Sequence, residues 1–367
     1  MKKIIYIIPA LINSGPVNVL YNIVKYIDRS KYEPIVVALY KHKLKDRDNT
    51  SDFEKIGVKV ITYNFSKKEL ELKTKHIARI IESSFNDSVI FHAHGYHPTL
   101  LLSYFSNKKT VNTIHNICDE DFLNSKGFLL GSYMSYRYKK NLKSLATCVT
   151  ISDSMNLYYS NRIKKASFRT VYNGVSVECC YKNKNELCNE LNISLDTKLL
   201  FYPAVFNIGK NHSYLIEELL RSKRNDFLVL FAGQGELEEK CKQLVANDSR
   251  FHFLGFQNDL SFYWSAVDFM ISPSVSEGLP MAVLEAVVRG IPCILSDIPS
   301  HKEIVNNVFG TESDLLFSLS SQGSLCYTVE RLLDLPFDRK NIQEKAIKFY
   351  SAEAMAHGYE LIYENII

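Results

Sequence analysis

Short β-branched runs alternate with helix-spaced apolar segments along almost all of this 367-residue chain, and that alternation leaves few folds open. Ile4 to Ile8, Glu33 to Leu39, Val58 to Thr62, Val89 to His94, Thr110 to Ile114 and Thr147 to Ile151 read as buried strands. Between them Val17 to Ile27 and Leu70 to Glu82 carry helical spacing, and Ser152-Asp153-Ser154 caps another helix. Strands joined through helices run parallel in a doubly wound α/β sheet, where ligands bind at the carboxyl ends of the strands. Gly15, His94 and His115 fall at such ends.

After Val171 to Val177 (VYNGVSV), the region from Asn183 to Glu186 reads as a linker, and then the pattern restarts. Leu199 to Tyr202 is a strand, a loop runs to Lys210, and His212 to Leu220 is a helix. Phe227 to Ala232, Phe251 to Phe256 and Phe269 to Ile271 are further strands, separated by helices at Glu236 to Ala246 and Leu260 to Ala266. The prediction is two Rossmann-like doubly wound domains facing a central cleft, residues 1–178 and 179–345. The long amphipathic segment from Asn341 to Ile367 leads to residues 346–367 as a C-terminal helix crossing back to brace the first domain.

Hydrophobic residues at 46% and charged residues at 23% describe an ordinary globular protein. No window approaches the ~18 consecutive apolar residues of a membrane-spanning helix. Lys2, Lys3 and the apolar residues after them superficially resemble a secretion signal. Pro9 ends that run, and it reads as a first buried strand. The eight cysteines (Cys118, Cys148, Cys179, Cys180, Cys188, Cys241, Cys293 and Cys326) form no CxxC pair, which favours a reducing cytoplasm over a disulfide framework or zinc site. A net charge of +4 is too mild to argue for nucleic acid.

Two readings stay open for Phe128 to Leu145, where aromatics mix with Arg137, Lys139, Lys140 and Lys143. It is a helix lying on an anionic membrane surface, or a partly buried helix with one solvated face. Lys41, Lys43, Lys45 and Arg47 add positive charge to the same domain.

The stretch from Ser272 to Ile304 carries the most chemistry. Glu277 and Glu285 are separated by seven residues, with Gly278-Leu279-Pro280 directly after the first. Met281 to Val288 reads as a buried helix, Pro280 suits its first turn, and Gly290 and Pro292 end it. Five residues of helix place Glu285 roughly 7–8 Å beyond Pro280. A strand, a glycine turn and the start of a helix favour an anion, and two carboxylates around a phosphate-sized gap suit a ligand with hydroxyls on both sides of a diphosphate. Glu285 inside an apolar helix is costly without partners, so a buried ion pair is the competing account.

Gly233-x-Gly235 lacks the third glycine of a dinucleotide fingerprint and reads as a tight turn. Gly15 allows close backbone approach to a ligand or serves conformation alone. His92 and His94 share one strand face without a carboxylate cluster to make a metal site. His115 has a structural and a catalytic reading, and Lys210 after its loop is placed to hold a phosphate.

With this layout the chain resembles the glycosyltransferase family 4 enzymes of the GT-B fold over nearly its whole length. IIPALINSGPVNVLYNIV, IFHAHG, TIHN, VYNGVSV and FAGQGELEEKCKQL look like successive family landmarks, and FLGFQNDLSFYWSAVDFMISPSVSEGLPMAVLEAVVRGIPCILSD is the most specific match. The resemblance implies an acceptor-binding first domain and a nucleotide-sugar-binding second domain. It implies that Glu277 contacts donor-sugar hydroxyls, that Gly278, Leu279 and Met281 offer backbone N–H groups, and that Glu285 holds the ribose. Lys210 would neutralise the leaving diphosphate, and the base would sit near Gly255, Phe256 and Gln257. Gly15 would let the first-domain loop close, and His115 would contact the sugar near the reacting carbon. Val205 stands where family members commonly have an arginine five residues before the lysine.

The function so implied is retaining, metal-independent transfer from a UDP- or GDP-linked sugar to a hydroxyl of a glycan. The acceptor would be polyprenyl-diphosphate-linked, in O-antigen or capsule assembly at the inner face of the membrane. No Asp-x-Asp pair sits at a strand end to hold a metal, and no cofactor is expected. A sugar-nucleotide epimerase or phosphorylase on the same fold, and a non-catalytic nucleotide-sugar-binding subunit, are the alternatives.

Overall fold

The structure, a computed structural model, describes residues 1–41, 48–85, 89–106, 109–177, 184–311 and 314–366. Lys43, Lys45, Arg47, Cys179, Cys180 and Asn183 lie outside the described residues. The chain divides into two compact units, Met1–Gly174 with Ala352–Ile367, and Val175–Ser351.

In the first unit seven parallel strands form one sheet: β1 (Lys2–Ile8), β2 (Tyr32–Ala38), β3 (Lys59–Thr62), β4 (Val89–His94), β5 (Thr110–Ile114), β6 (Thr147–Thr150) and β7 (Phe168–Thr170). Their order is β3-β2-β1-β4-β5-β6-β7, so the winding reverses between β1 and β4. Ile4 to Ile8 are at most 1% exposed, as the run of β-branched residues predicts for a strand covered on both faces. The helix Gly15–Tyr26 buries Val17, Val19, Leu20, Ile23 and Val24 as one stripe, against which the closing helix Ala352–Ile366 packs.

The second unit repeats the plan with β8 (Lys198–Pro203), β9 (Phe227–Ala232), β10 (Phe251–Phe253), β11 (Phe269–Ser272), β12 (Cys293–Ser296) and β13 (Leu316–Phe317). These parallel strands are ordered β10-β9-β8-β11-β12-β13, with the reversal between β8 and β11. The doubly wound α/β architecture follows the sequence pattern in both units. The six described cysteines, Cys118, Cys148, Cys188, Cys241, Cys293 and Cys326, are free and buried, as small hydrophobes are.

Three segments depart from expectation. Leu70 to Glu82 is two helices, Lys67–Leu72 and Thr74–Ser83. Ser66 and Glu69 form a reciprocal capping box that starts the first helix early, and Thr74 Oγ1 donates to the Leu70 carbonyl at the junction (2.7 Å). Lys184 to Glu186 of the expected linker instead open the helix Lys184–Leu191, which buries Leu187 and Cys188. The C-terminal segment is also two helices, Arg339–Tyr350 and Ala352–Ile366, parted at Ser351, whose extended backbone bridges to Val175. Only the second belongs to the first unit. The short edge strands β7 and β13 have no counterpart in the sequence reading.

Candidate functional site

In the second unit the loops after β8 and β11 meet where the winding reverses, the position at which open α/β sheets bind ligands. Tyr202, buried in β8, donates its hydroxyl to the Lys210 carbonyl (2.7 Å). The Asn207 side chain accepts the Lys210 N–H (3.0 Å) and caps a single turn of 3-10 helix, Ile208–Lys210. The turn at Gly233-Gln234-Gly235 holds this loop from below. A Cβ at Gly233 would lie 2.1 Å from the Ala204 carbonyl oxygen, and one at Gly235 would lie 2.3 Å from that of Phe206. These glycines serve backbone packing.

Lys210 so placed reaches Glu277, with its Nζ on Oε1 of the carboxylate. Ser274 Oγ donates to the same oxygen (2.8 Å), and the Val275 N–H donates to the Gly209 carbonyl (3.0 Å). One shell further in, Ser296 at the end of β12 donates to the Ser274 carbonyl (2.6 Å), and His301 Nδ1 lies 3.0 Å from the Ser296 carbonyl. Burial pushes the His301 imidazole down to about 4, against the opposing pull of Glu277 and Ser296, so the ring is neutral; its Nε2 has no hydrogen-bond partner. Ser274, Ser296, His301, Asn207 and Tyr202 were not singled out from sequence. Their common signal is position: each lies at or just beyond the carboxyl end of β8, β11 or β12.

Glu285 takes a separate place on the helix Met281–Val287. Its Oε2 accepts the Trp264 indole N–H (3.0 Å), and its backbone carbonyl accepts from Arg289 (2.8 Å). Burial raises its carboxyl, opposed by the Arg289 charge and the Trp264 hydrogen bond. Gly278 and Leu279 are buried, and Met281 is half-buried at the start of the helix. Phe256 lies beyond β10, 53% exposed, and is not part of the Lys210–Glu277 group. Val205 is 57% exposed on the loop before Lys210.

In the first unit, the chain leaves β1 through a loop into the helix that begins at Gly15. A Cβ there would meet nothing within 4 Å and the backbone does not need positive φ, so neither packing nor conformation requires glycine at this point. His115 follows β5 and shares a hydrogen bond with His94 (Nε2 to Nδ1, 3.0 Å). Burial lowers His115 to about 4 and holds His94 well below its ordinary value, so both are neutral. His92 is spent on Tyr363 (2.7 Å) and Thr113 (2.8 Å), and among the described residues no cluster of His, Cys, Asp or Glu could hold a metal ion. His94, with its Nε2 unpartnered, lines a cavity of about 1030 Å³ that also meets Ile8, Pro9, Ser14, Lys41 and Lys67.

Residues 183–349, nearly the whole second unit, match the model of the family described as "Glycosyl transferases group 1". Over 99% of this chain and 98% of its own length, the "O-antigen biosynthesis glycosyltransferase WclY" of Escherichia coli is 26% identical. The "N,N'-diacetylbacillosaminyl-diphospho-undecaprenol alpha-1,3-N-acetylgalactosaminyltransferase" of Campylobacter jejuni is 24% identical over 91% of this chain and 94% of its own. The solved "Sucrose-phosphate synthase" of Thermosynechococcus elongatus shares the fold, with a TM-score of 0.81, 16% identity, and 100% and 99% of the two chains covered. These likenesses support the group 1 glycosyltransferase class for this chain and show its fold to be two Rossmann-like α/β domains of the GT-B kind.

Proposed function

We propose that the chain transfers a sugar, with retention and without a metal, from a nucleoside diphosphate sugar to a hydroxyl of a lipid-linked glycan in surface-polysaccharide assembly. The observation that carries this reading is the Lys210–Glu277–Ser274 group at the reversal point of the second sheet. An ammonium beside a carboxylate offers one group for phosphate charge and one for sugar hydroxyls. Lys210 takes the growing charge of the leaving diphosphate, with the Gly278, Leu279 and Met281 backbone beside it. Glu277 holds the sugar, and Glu285, steadied by Trp264, takes the ribose hydroxyls. Phe256 serves the base.

From the first unit the proposed participants are His115, whose neutral ring can accept or donate one hydrogen bond, and Gly15. The acceptor belongs to the cavity beside β1 and β4. Its apolar lining with Lys41 and Lys67 suits a diphosphate joined to a lipid. The similarity to an O-antigen glycosyltransferase and to an enzyme named for an undecaprenyl diphosphate substrate supports this choice of acceptor.

The test is a thermal-unfolding panel of UDP-, GDP- and dTDP-sugars, followed by transfer of label from the best ligand to undecaprenyl-diphosphate-linked acceptors. A donor that binds the native state raises the melting temperature with concentration. Label in the lipid fraction, with nucleoside diphosphate released only when acceptor is present, is the expected result. Release without acceptor, or donor binding with no transfer to any acceptor, overturns it.

A further inference from the structure

The helix Phe128–Leu142 buries Gly131, Ser135, Tyr138 and Leu142 and leaves an unusual opposite face. Leu129 is 83% exposed, Tyr133 56% and Tyr136 64%. At 100° per residue these three fall within about 60° of one another, and Lys140 and Lys143 continue the same stripe. Phe128, 78% exposed, and Leu130, 53% exposed, flank it at the helix start, next to exposed Lys126. An apolar, aromatic end followed by a lysine end is costly in water and matches a bilayer interface, where rings sit at headgroup level and ammonium groups meet anionic lipid. The acidic residues at the start of the preceding helix do not cancel this charge: Asp119 is held by Lys139 (2.6 Å), Ser135 and Tyr158, and Glu120 and Asp121 stand at the opposite end of that helix from Lys126.

We propose that this face is a membrane-docking surface whose occupant is an anionic phospholipid bilayer. It goes beyond the transferase reading, since none of the residues that form the docking face is assigned to donor or acceptor. The docked helix is also tied to the cavity of the first unit. Arg137 pairs with Glu71 and Glu71 also meets His97 (3.1 Å); Glu71 lies on the helix Lys67–Leu72, whose first residue Lys67 lines that cavity. A lipid-linked substrate would thereby be delivered from the surface on which the helix lies.

The experiment is sedimentation of the full chain with vesicles of phosphatidylethanolamine and phosphatidylglycerol, against vesicles of phosphatidylcholine alone. Association with the anionic vesicles is expected, reduced at least about 30-fold by Lys140→Glu with Lys143→Glu and abolished by Leu129→Glu with Tyr133→Glu. All four side chains are solvent-facing, so both variants should keep the parent melting temperature and nucleoside diphosphate binding. That binding, measured in parallel, separates this proposal from the transferase reading. No association with anionic vesicles, or association that both double variants retain, overturns the proposal. So does a dimer of the free protein that Leu129→Glu with Tyr133→Glu dissociates, because a second copy would then cover the face.

Discussion

The Lys210–Glu277 ion pair makes a prediction whose two halves have opposite signs. In the ligand-free protein the Glu277 carboxylate holds the Lys210 ammonium, so an arriving diphosphate must compete with it. Glu277→Gln keeps an oxygen for Lys210 and Ser274 but removes the negative charge. A unit charge ~5 Å from a phosphate is worth ~3 kcal/mol at an effective dielectric of ~20. The two side chains are 30% and 14% exposed, so solvent screening cuts that to ~1.5 kcal/mol, or about tenfold in Kd. Bare nucleoside diphosphate should therefore bind Glu277→Gln about tenfold tighter and Lys210→Met about tenfold weaker.

Transfer should behave differently. If Glu277 holds the sugar and Lys210 the leaving group, both variants lose turnover, by about 10²–10³ for the loss of a group that stabilises developing charge. Isothermal titration calorimetry with the nucleoside diphosphate, alongside label transfer, reads the two effects separately. Thermal unfolding serves as a control, since a partly exposed ion pair contributes little to stability. Tighter diphosphate binding with lost transfer in Glu277→Gln is the expected combination. Weaker diphosphate binding in both variants would refute the competition argument, because the carboxylate would then be supporting the phosphate site.

Three further outcomes follow from the same geometry. Gly235→Ala places a methyl against the Phe206 carbonyl and must shift the loop that carries Lys210; donor affinity should drop more than tenfold, read by calorimetry, with the circular dichroism spectrum kept. Tyr363→Phe removes a hydroxyl that serves both His92 and Tyr6 and leaves buried polar atoms unpaired, costing about 1–3 kcal/mol in urea unfolding. Glu285 has a carboxyl raised by burial, so its ionised form is disfavoured in the folded state, and stability falls as pH rises from its unfolded value of 4.5 through the folded one. Glu285→Gln should accordingly raise the melting temperature at neutral pH and flatten its pH dependence, while weakening nucleotide binding; unchanged melting between pH 4.5 and 8 in both proteins would refute the assignment.

The parts of the fold visible in sequence are those with a local cause. β1 announces itself through the unbroken apolar run Ile4 to Ile8, β4 through Val89 to Phe91 before its polar end, and the helix Met281–Val287 through its proline start and glycine end. The break at Lys73 escaped because the capping box at Ser66 and Glu69 competes with a longer helical pattern that reads equally well across it. Lys210 and Glu277 could be chosen one by one from spacing and resemblance. Their contact could not, since it spans 67 positions and depends on Asn207, Tyr202 and the Gly233–Gly235 turn acting together. His301 escaped for the opposite reason: its surroundings in sequence look like an ordinary helix start, and only burial beside Ser296 makes it unusual.

The first unit shows how far from the site such causes can lie. Tyr363, on the last helix, bonds His92, and the His92 ring lies against that of His94, with centroids 4.4 Å apart; His94 in turn bonds His115. Tyr359, one turn earlier on the same helix, bonds Thr113, which also meets His92. The closing helix thus supplies two hydroxyls to a row of rings that ends at the candidate residue beyond β5. All three rings are neutral, and hydrogen bonds orient them in two groups: Tyr363 and Thr113 fix the His92 ring, while His94 and His115 fix each other, with a ring contact between the groups. The return of the chain to its first unit therefore does more than cover apolar surface: it satisfies the buried polar groups of His92 and Thr113, and the His92 ring in turn packs against the His94 ring that bonds His115.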